Sequence, residues 1–182
     1  MRVIAGTARG RRIEAPPGTG TRPITDRAKE SIFNMLVSLG AIVDAEVVDL
    51  YAGSGSFGIE CLSRGAARVT FVERARAAGA TIEANLARLD FADRATVEVG
   101  PVERALDRLP SADLAFCDPP YGSDVWPDLL SRLDAEIVVG HAERDIPLPA
   151  GWEELRRRTY GRSHIVIARR LTPLPTADRG TG

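Results

Sequence analysis

Two short segments contain the residues whose types and spacing could do chemistry. The first, Asp49–Gly58, reads DLYAGSGSFG and spells G-x-G-x-x-G directly after the apolar pair Val47-Val48. Glycines in a strand-to-helix turn let the backbone approach a ligand closely, and the helix that follows presents free N–H groups. The pattern suits a nicotinamide or flavin dinucleotide, and it suits S-adenosylmethionine equally well. The glycines alone leave the cofactor open.

Two acidic residues narrow that choice. Glu73, at the end of the second predicted strand, is placed to hold ribose hydroxyls, which both kinds of cofactor carry. Asp49 lies four positions before Gly53, where a carboxylate would repel a pyrophosphate but could attract the cationic amino-acid end of S-adenosylmethionine. Asp49 therefore favours S-adenosylmethionine over a dinucleotide.

The second segment, Phe116–Gly122, reads FCDPPYG and follows an apolar strand. Its two prolines fix the backbone and remove N–H donors, which leaves the Asp118 carboxylate, stiff carbonyls and the Tyr121 ring. This set suits a planar group that bears an NH₂. Hydrogen bonds to Asp118 and to the Pro119 carbonyl would orient the amine, and Tyr121 would stack on the base. The chemistry predicted is methyl transfer to an exocyclic amine, with no metal.

Other reactive side chains receive no role. Cys117 precedes the aspartate within the strand and is expected to point into the core, which argues against a cysteine nucleophile. Cys61 and Cys117 lie far apart without metal-ligand spacing, so we predict two reduced, buried thiols. His141 and His164 are interpreted as incidental strand residues.

The elements that must position these segments alternate between strand and helix. Strands are predicted at 46–50, 68–73, 95–99, 113–117 and 136–140, with helices to about 64 and over 75–89, 102–109 and 124–133. This alternation predicts an α/β fold with a mostly parallel sheet covered on both faces. Ligands bind at the carboxyl ends of such strands, so Asp118 is expected beside the glycine turn.

Both ends of the chain depart from this alternation. Two strands, 152–160 and 163–169, are joined by Gly161-Arg162 alone, a link too short for a parallel crossover, and are predicted to form an antiparallel edge hairpin. A small hairpin around residues 6–11 and a helix from Asp26 to Leu39, with Thr25 as N-cap, precede the sheet. We divide the chain into an extension at 1–40, a domain at 41–171 and a flexible tail at 172–182.

Composition and charge are typical of an ordinary globular protein, and residues 1–30 form a basic segment. The 182 residues are 44% hydrophobic and 27% charged, with a net charge of −1. Residues 1–30 nevertheless carry six arginines and the single lysine against three acidic residues, which indicates a local anionic contact. Neither a signal peptide nor a membrane-spanning segment is predicted.

Four motifs together resemble the RsmD family. They are RVIAGTARGR at 2–11, RPITDR at 22–27, the glycine turn and DPPYG at 118–122. The first two are much more specific than the cofactor motifs, which are shared by class I methyltransferases in general. The resemblance covers nearly the whole chain except the tail. It implies a Rossmann-like sheet of seven strands, S-adenosylmethionine as cofactor, and methylation of guanine N2 in 16S ribosomal RNA of the small subunit.

The candidate site residues follow from these segments and from the resemblance. Asp118, Pro119 and Tyr121 are predicted to be catalytic. The residues assigned to the cofactor, with S-adenosylhomocysteine as product, are Asp49, Tyr51, Gly53, Gly55, Gly58, Glu73, Val102 and Asp118. The residues assigned to RNA are Arg9, Arg11, Arg22, Arg27 and Lys29. Val102 enters because Gly100-Pro101-Val102 replaces the polar side chain that such enzymes place against adenine, which leaves a backbone N–H for that contact.

Several alternatives stay open at this point. Similar Asp-Pro-Pro-Tyr loops serve in methylation of adenine N6 or cytosine N4 in DNA or other RNA, and in methylation of protein glutamine. A catalytically silent RNA-binding module is a further alternative. We expect a cytoplasmic monomer that acts on the small ribosomal subunit.

Overall fold

The computed structural model describes residues 1–16 and 26–171, with the side chains of Asp26 and Arg27 left out. Three predictions lie outside this range: the N-cap at Thr25, the RNA contact of Arg22 and the flexible tail at 172–182. No helix among the described residues is long and apolar enough to cross a membrane.

Seven strands form one sheet, as the resemblance implied. They are β1 (Glu46–Leu50), β2 (Arg68–Glu73), β3 (Ala95–Val99), β4 (Ala112–Cys117), β5 (Ala135–Ala142), β6 (Trp152–Tyr160) and β7 (Ser163–Arg170). Their order is β3-β2-β1-β4-β5-β7-β6. The first five strands pair in parallel, and β7 is antiparallel to both β5 and β6. The predicted edge hairpin is confirmed.

Within residues 1–16 and 26–171, five α-helices cover the sheet. They are α1 (Asp26–Ser38), α2 (Ser56–Ser63), α3 (Arg76–Arg88), α4 (Val102–Ala105) and α5 (Trp126–Arg132). The first three pack with the amino-terminal hairpin on one face, and α4 and α5 cover the other. The helices predicted at 102–109 and 124–133 are both shorter in the structure. In α4 the chain leaves the helix after Ala105, and α5 begins only at Trp126-Pro127, where proline suits a first turn.

Three aromatic rings in contact, of which two are stacked, join the first face of the sheet to its carboxyl edge. Phe57 in α2 lies parallel to Phe116 in β4, with ring centroids 3.8 Å apart, and contacts Phe33 of α1 at 4.7 Å. All three rings are buried. Offset aromatic pairs add to the free energy that burial alone provides. These ring contacts therefore fix α1 and α2 against β4, the strand that leads into Asp118.

The amino-terminal hairpin is closed by a single bridge between Arg2 and Arg12 and by backbone bonds between Val3 and both Gly10 and Arg11. It is attached to α2 through buried polar side chains. Glu60 accepts hydrogen bonds from the backbone N–H groups of Ile4 and Ala5, at 2.8 and 3.0 Å. The hairpin is thus part of the folded body.

Glycine at position 6 is required by that attachment. Its φ is +82°, and a Cβ there would lie 1.8 Å from the carbonyl oxygen of Ser63. Ser63 in turn exchanges hydrogen bonds with Ala5 and Ala8. Only a residue without a side chain lets the hairpin approach α2 this closely.

Candidate active site

The glycine turn and the Asp118 loop meet at the carboxyl edge of the sheet. Strands β1 and β4 are neighbours, with Leu50 opposite Cys117, so the glycine turn and the Asp118 loop leave the sheet side by side. The Asp118 N–H points to the Leu50 carbonyl at 3.5 Å. The chain also changes direction across the sheet between these two strands, which is where open α/β sheets bind ligands.

Two carboxylates accept hydrogen bonds from the backbone of the glycine turn and hold it in place. Asp49 accepts a hydrogen bond from the Gly58 N–H at 2.9 Å. Glu73 accepts one from the Gly53 N–H and one from the Ala75 N–H, both at 2.8 Å. Gly55 donates to the Ala52 carbonyl. All three glycine N–H groups are therefore used within the protein, whereas a pyrophosphate needs such groups to be free.

The three glycines differ in what surrounds them. A Cβ on Gly53, at φ +56°, would meet only the Tyr51 carbonyl, 4.0 Å away, so this side of the turn is open. A Cβ on Gly58 would lie 2.4 Å from the Phe71 ring, and one on Gly55 would press on Ile82. Gly53 is thus the glycine that faces a possible ligand, while Gly55 and Gly58 let the helix pack closely on β2.

Asp49 is 1% exposed and lies on the inner side of the turn. Burial raises its pKa to about 8, and the hydrogen bond from Gly58 opposes that rise only in part. The nearby Asp118 and Glu73 raise it further, and Lys29 lowers it. A cation bound at the open side of the turn would favour the ionised form of this carboxyl.

The raised pKa of Asp49 predicts a pH-dependent stability. Between the ordinary value of 3.8 and about 8 the folded protein holds a proton that the unfolded chain has released, so this contribution is present at low pH and lost as the pH rises. Asp49→Asn keeps an acceptor for Gly58 but cannot ionise. We expect its melting temperature, relative to the wild type, to rise steadily from pH 4 to pH 8. A constant difference across that range would contradict the raised pKa.

The remaining cofactor residues lie around the same edge. Tyr51 has φ +59°, and its hydroxyl donates to Glu103 at 3.3 Å. Its pKa is raised, first by burial and then by Glu103. Val102 is buried at the start of α4, where a first-turn N–H has no intrahelical acceptor. Tyr51 and Val102 thus both pack with the cluster that α4 and α5 cover.

The Asp118 loop forms one wall of a cleft of about 330 Å³. Pro119, Pro120 and Tyr121 line the cleft on the side of this loop. Ala142 at the end of β5, residues 143–145 and Pro147 after it, and Trp126 of α5 complete the lining. The Tyr121 side chain is 45% exposed, and the Asp118 side chain is 34% exposed. A planar group can reach both from solvent.

The structure also shows a contact that sequence reasoning missed. From the sequence, His141 is interpreted as an incidental strand residue and given no role. Strand β5 extends to Ala142, and His141 Nδ1 lies 2.7 Å from Asp118 Oδ1. A usable signal was that His141 directly follows the predicted fifth strand (136–140), just as Asp118 directly follows the predicted fourth (113–117).

The predicted RNA residues fall into different environments. Arg9 is exposed, and Arg11 pairs with Asp90 at 3.5 Å and with the Arg88 carbonyl. Lys29 is 7% exposed, donates to the Ser56 carbonyl at 2.7 Å and lies 3.8 Å from Glu60. Its ammonium faces the protein interior, so the predicted phosphate contact does not fit, and we assign Lys29 to the anchoring of α1. Arg27 and Arg22 fall outside the side chains described.

Both cysteines are free and buried, and burial raises the pKa of each thiol. Cys117 is completely inaccessible. This burial agrees with the rejection of a cysteine nucleophile. Among residues 1–16 and 26–171 no group of three or more histidine, cysteine or acidic side chains could hold a metal ion.

The fold and this site define a class I methyltransferase. The family described as conserved hypothetical protein 95 matches residues 1–169. "Putative rRNA methyltransferase YlbH" of Bacillus subtilis is 37% identical over 92% of this chain and 97% of its own length. Ribosomal RNA small subunit methyltransferase D of Escherichia coli K12 is 32% identical over 88% of this chain and 85% of its own.

A solved structure gives the same result. "Putative methyltransferase yhhF" from Escherichia coli superposes with a TM-score of 0.83 at 31% identity, covering 93% of this chain and 97% of the other. The chain belongs to the conserved hypothetical protein 95 family, which is the RsmD family of methyltransferases. The resemblance drawn from the four motifs is confirmed.

Proposed function

We propose that the protein transfers a methyl group from S-adenosylmethionine to the exocyclic N2 of a guanine in 16S ribosomal RNA. The observation that carries this is the placement of the Asp118-Pro119 loop beside the glycine turn on adjacent strands. The relatives named for ribosomal RNA methylation support the substrate. Guanine N2 rests on the family resemblance.

The residues at the edge fit this cofactor. The open side of Gly53 and the Glu73 carboxylate suit the ribose of an adenosine, and the first turn of α4 suits its base. The neighbouring carboxyl groups of Asp49 and Asp118 suit a cationic group. S-adenosylmethionine supplies a methyl group on a positively charged sulfur. The residues proposed to hold it are Asp49, Tyr51, Gly53, Glu73 and Val102, with Gly55 and Gly58 shaping the turn.

The protein's part in the reaction is to orient the amine and exclude other geometries. Asp118 and the Pro119 carbonyl accept hydrogen bonds from the NH₂ group, which turns its lone pair towards the methyl group. Tyr121 stacks on the base and fixes its plane. The surplus amine proton leaves to Asp118 or to water. The two prolines keep these acceptors in place at no further entropic cost.

Recognition of the RNA is proposed to involve the extension at residues 1–40. Arg9 and Arg11 belong to a hairpin that is attached to α2 by hydrogen bonds, so phosphate contacts there would position the RNA relative to the catalytic domain at 41–171. We propose that the enzyme works as a monomer in the cytoplasm, where ribosomal subunits are assembled.

The decisive experiment measures methyl transfer from labelled cofactor to three substrates. They are naked 16S RNA, small subunits that lack the modification, and double-stranded DNA. We expect incorporation into RNA or subunits, at guanine N2 when the digested nucleosides are separated. Transfer to DNA alone, or to a protein glutamine, would replace this assignment.

Cofactor choice gives a second prediction. S-adenosylhomocysteine should raise the melting temperature because only the folded protein offers the site, and NADH should not. Glu73→Ala should weaken binding of the product by about 1.5–3 kcal/mol, the range for a hydrogen bond to a charged group. Glu136→Ala, an exposed position in β5, is the matched control. Stabilisation by NADH alone would restore the dinucleotide interpretation.

The role of the hairpin is tested through salt dependence. Arg9→Ala should lower RNA affinity and reduce the slope of log K against log salt by about one unit, since one released counterion is lost. Cofactor affinity should stay unchanged. Arg68→Ala, at the exposed start of β2, should leave the slope as it is. An unchanged slope in the Arg9 variant would make this hairpin a structural element only.

A further inference from the structure

His141 and Asp118 are matched positions on neighbouring parallel strands. Cys117 of β4 pairs with Gly140 of β5, so the next residue of each strand falls at the same carboxyl edge. Both side chains lie on the sheet face that also carries Phe116 and Val139. His141 is 1% exposed, whereas the Asp118 side chain remains 34% exposed. His141 is thus enclosed in the core, whereas Asp118 is accessible to solvent.

The 2.7 Å contact fixes which ring nitrogen carries a proton. A carboxylate can only accept a hydrogen bond, so Nδ1 of His141 must be the donor to Asp118 Oδ1. Nε2 is buried and has no partner within residues 1–16 and 26–171. A neutral ring leaves only a lone pair at that atom, whereas a cationic ring would leave a buried N–H unsatisfied. The arrangement favours a neutral imidazole with its proton on Nδ1.

This hydrogen bond removes the remaining freedom of the Asp118 carboxyl. The prolines at 119 and 120 already restrict the backbone of the loop, but they leave the side-chain torsions of Asp118 free. A donor held rigidly in β5 selects one orientation. In the described part of the chain Oδ1 is the engaged oxygen, and Oδ2 is left for another donor.

We propose that His141 is a positioning residue for methyl transfer, whose Nδ1–H holds Asp118 so that Oδ2 receives an N–H of the target amine. The identity of that amine rests on the proposed function, but the histidine–aspartate pair does not. His141 touches neither the amine nor the methyl group in this scheme. It acts only through the orientation of Asp118.

The test compares replacements that keep or remove the donor. His141→Asn retains an N–H near the position of Nδ1, whereas His141→Leu fills similar space without one. We expect the leucine variant to lose about ten- to a hundredfold in kcat, the range for a hydrogen bond to a charged group, with KM and cofactor affinity little changed. The asparagine variant should recover most of that loss. His164→Gln removes the only other histidine and should match the wild type.

A double variant at positions 118 and 141 distinguishes the loss of Asp118 positioning from general damage to the fold. In the double variant Asp118→Asn/His141→Leu, the leucine substitution should cause almost no further loss, because the group that it positions is already disabled. Equal losses in both backgrounds would overturn the proposal. So would a leucine variant with wild-type kcat, or an asparagine variant as slow as the leucine variant.

A measurement on the free enzyme makes the result independent of the substrate. With His164→Gln as background, ¹⁵N NMR of the single remaining imidazole should show protonation at Nδ1, and Asp118→Ala should shift that signal. A proton on Nε2 would overturn the proposal even if no variant folded well enough for kinetics. If the wild type methylates none of the RNA substrates, the proposed function fails while this result still stands.

Discussion

Asp118→Asn is expected to lower kcat for methyl transfer by about three orders of magnitude, within the range for loss of a positioned catalytic group. The amide keeps an oxygen that can accept the His141 hydrogen bond, so the loop should stay in place. It loses the negative charge that orients the amine and accepts its proton. Cofactor affinity, measured by calorimetry with S-adenosylhomocysteine, should change by no more than a small factor.

The matched control is Asp134→Asn. Asp134 is exposed just before β5, at the opposite edge of the sheet from the active site. It should retain wild-type turnover and cofactor affinity. An Asp118→Asn enzyme with more than about a tenth of wild-type kcat would mean that the Pro119 carbonyl and Tyr121 suffice to orient the amine.

Glu60→Gln is expected to have the largest effect on stability. The carboxylate of Glu60 is completely buried and accepts from Ile4, Ala5 and the Arg64 Nε at 2.8 to 3.0 Å, and Lys29 lies 3.8 Å away. Its loss leaves two poorly exposed cations without their counter-charge, and such changes cost about 3–5 kcal/mol of unfolding free energy. Urea denaturation followed by circular dichroism measures this directly.

Glu83→Gln provides the comparison for Glu60. Glu83 lies on the exposed side of α3, so its substitution should change the unfolding free energy by less than about 0.5 kcal/mol. Limited proteolysis adds a local readout, because the Glu60 variant should be cleaved near its amino-terminal hairpin before the rest of the chain is attacked. Equal stability of the two variants would show that Glu60 is not the anchor of the hairpin.

Most of the fold could be predicted because it depends on local patterns. Short apolar segments separated by helical ones specify a parallel sheet, and the two-residue link at Gly161-Arg162 permits only an antiparallel pair. The glycine turn and the Asp118 loop were identified because each is a continuous segment whose residues act together. Their adjacency followed from the general rule for the carboxyl edge of open sheets.

The features that the sequence did not predict depend on contacts between residues far apart in sequence. His141 gains its significance from a partner 23 positions away, through the pairing of β4 with β5. Lys29 looked like a surface cation, but it lies 3.8 Å from Glu60 on another helix. Glu60 itself is the one acidic residue of α2, a helix buried from residue 57 to 63, and no local signal indicates that it accepts hydrogen bonds from residues 4 and 5.

The attachment of the hairpin also has a consequence for synthesis of the chain. Residues 1–16 leave the ribosome well before the side chains that hold them: Glu60 and Ser63 bind Ile4 to Ala8, while Asn85 exchanges two hydrogen bonds with the backbone of Glu14. The hairpin therefore cannot dock until α2 and α3 have been made. In nascent chains stalled at successive lengths, we expect the hairpin to become protected only at lengths at which α3, which ends at Arg88, has emerged from the exit tunnel.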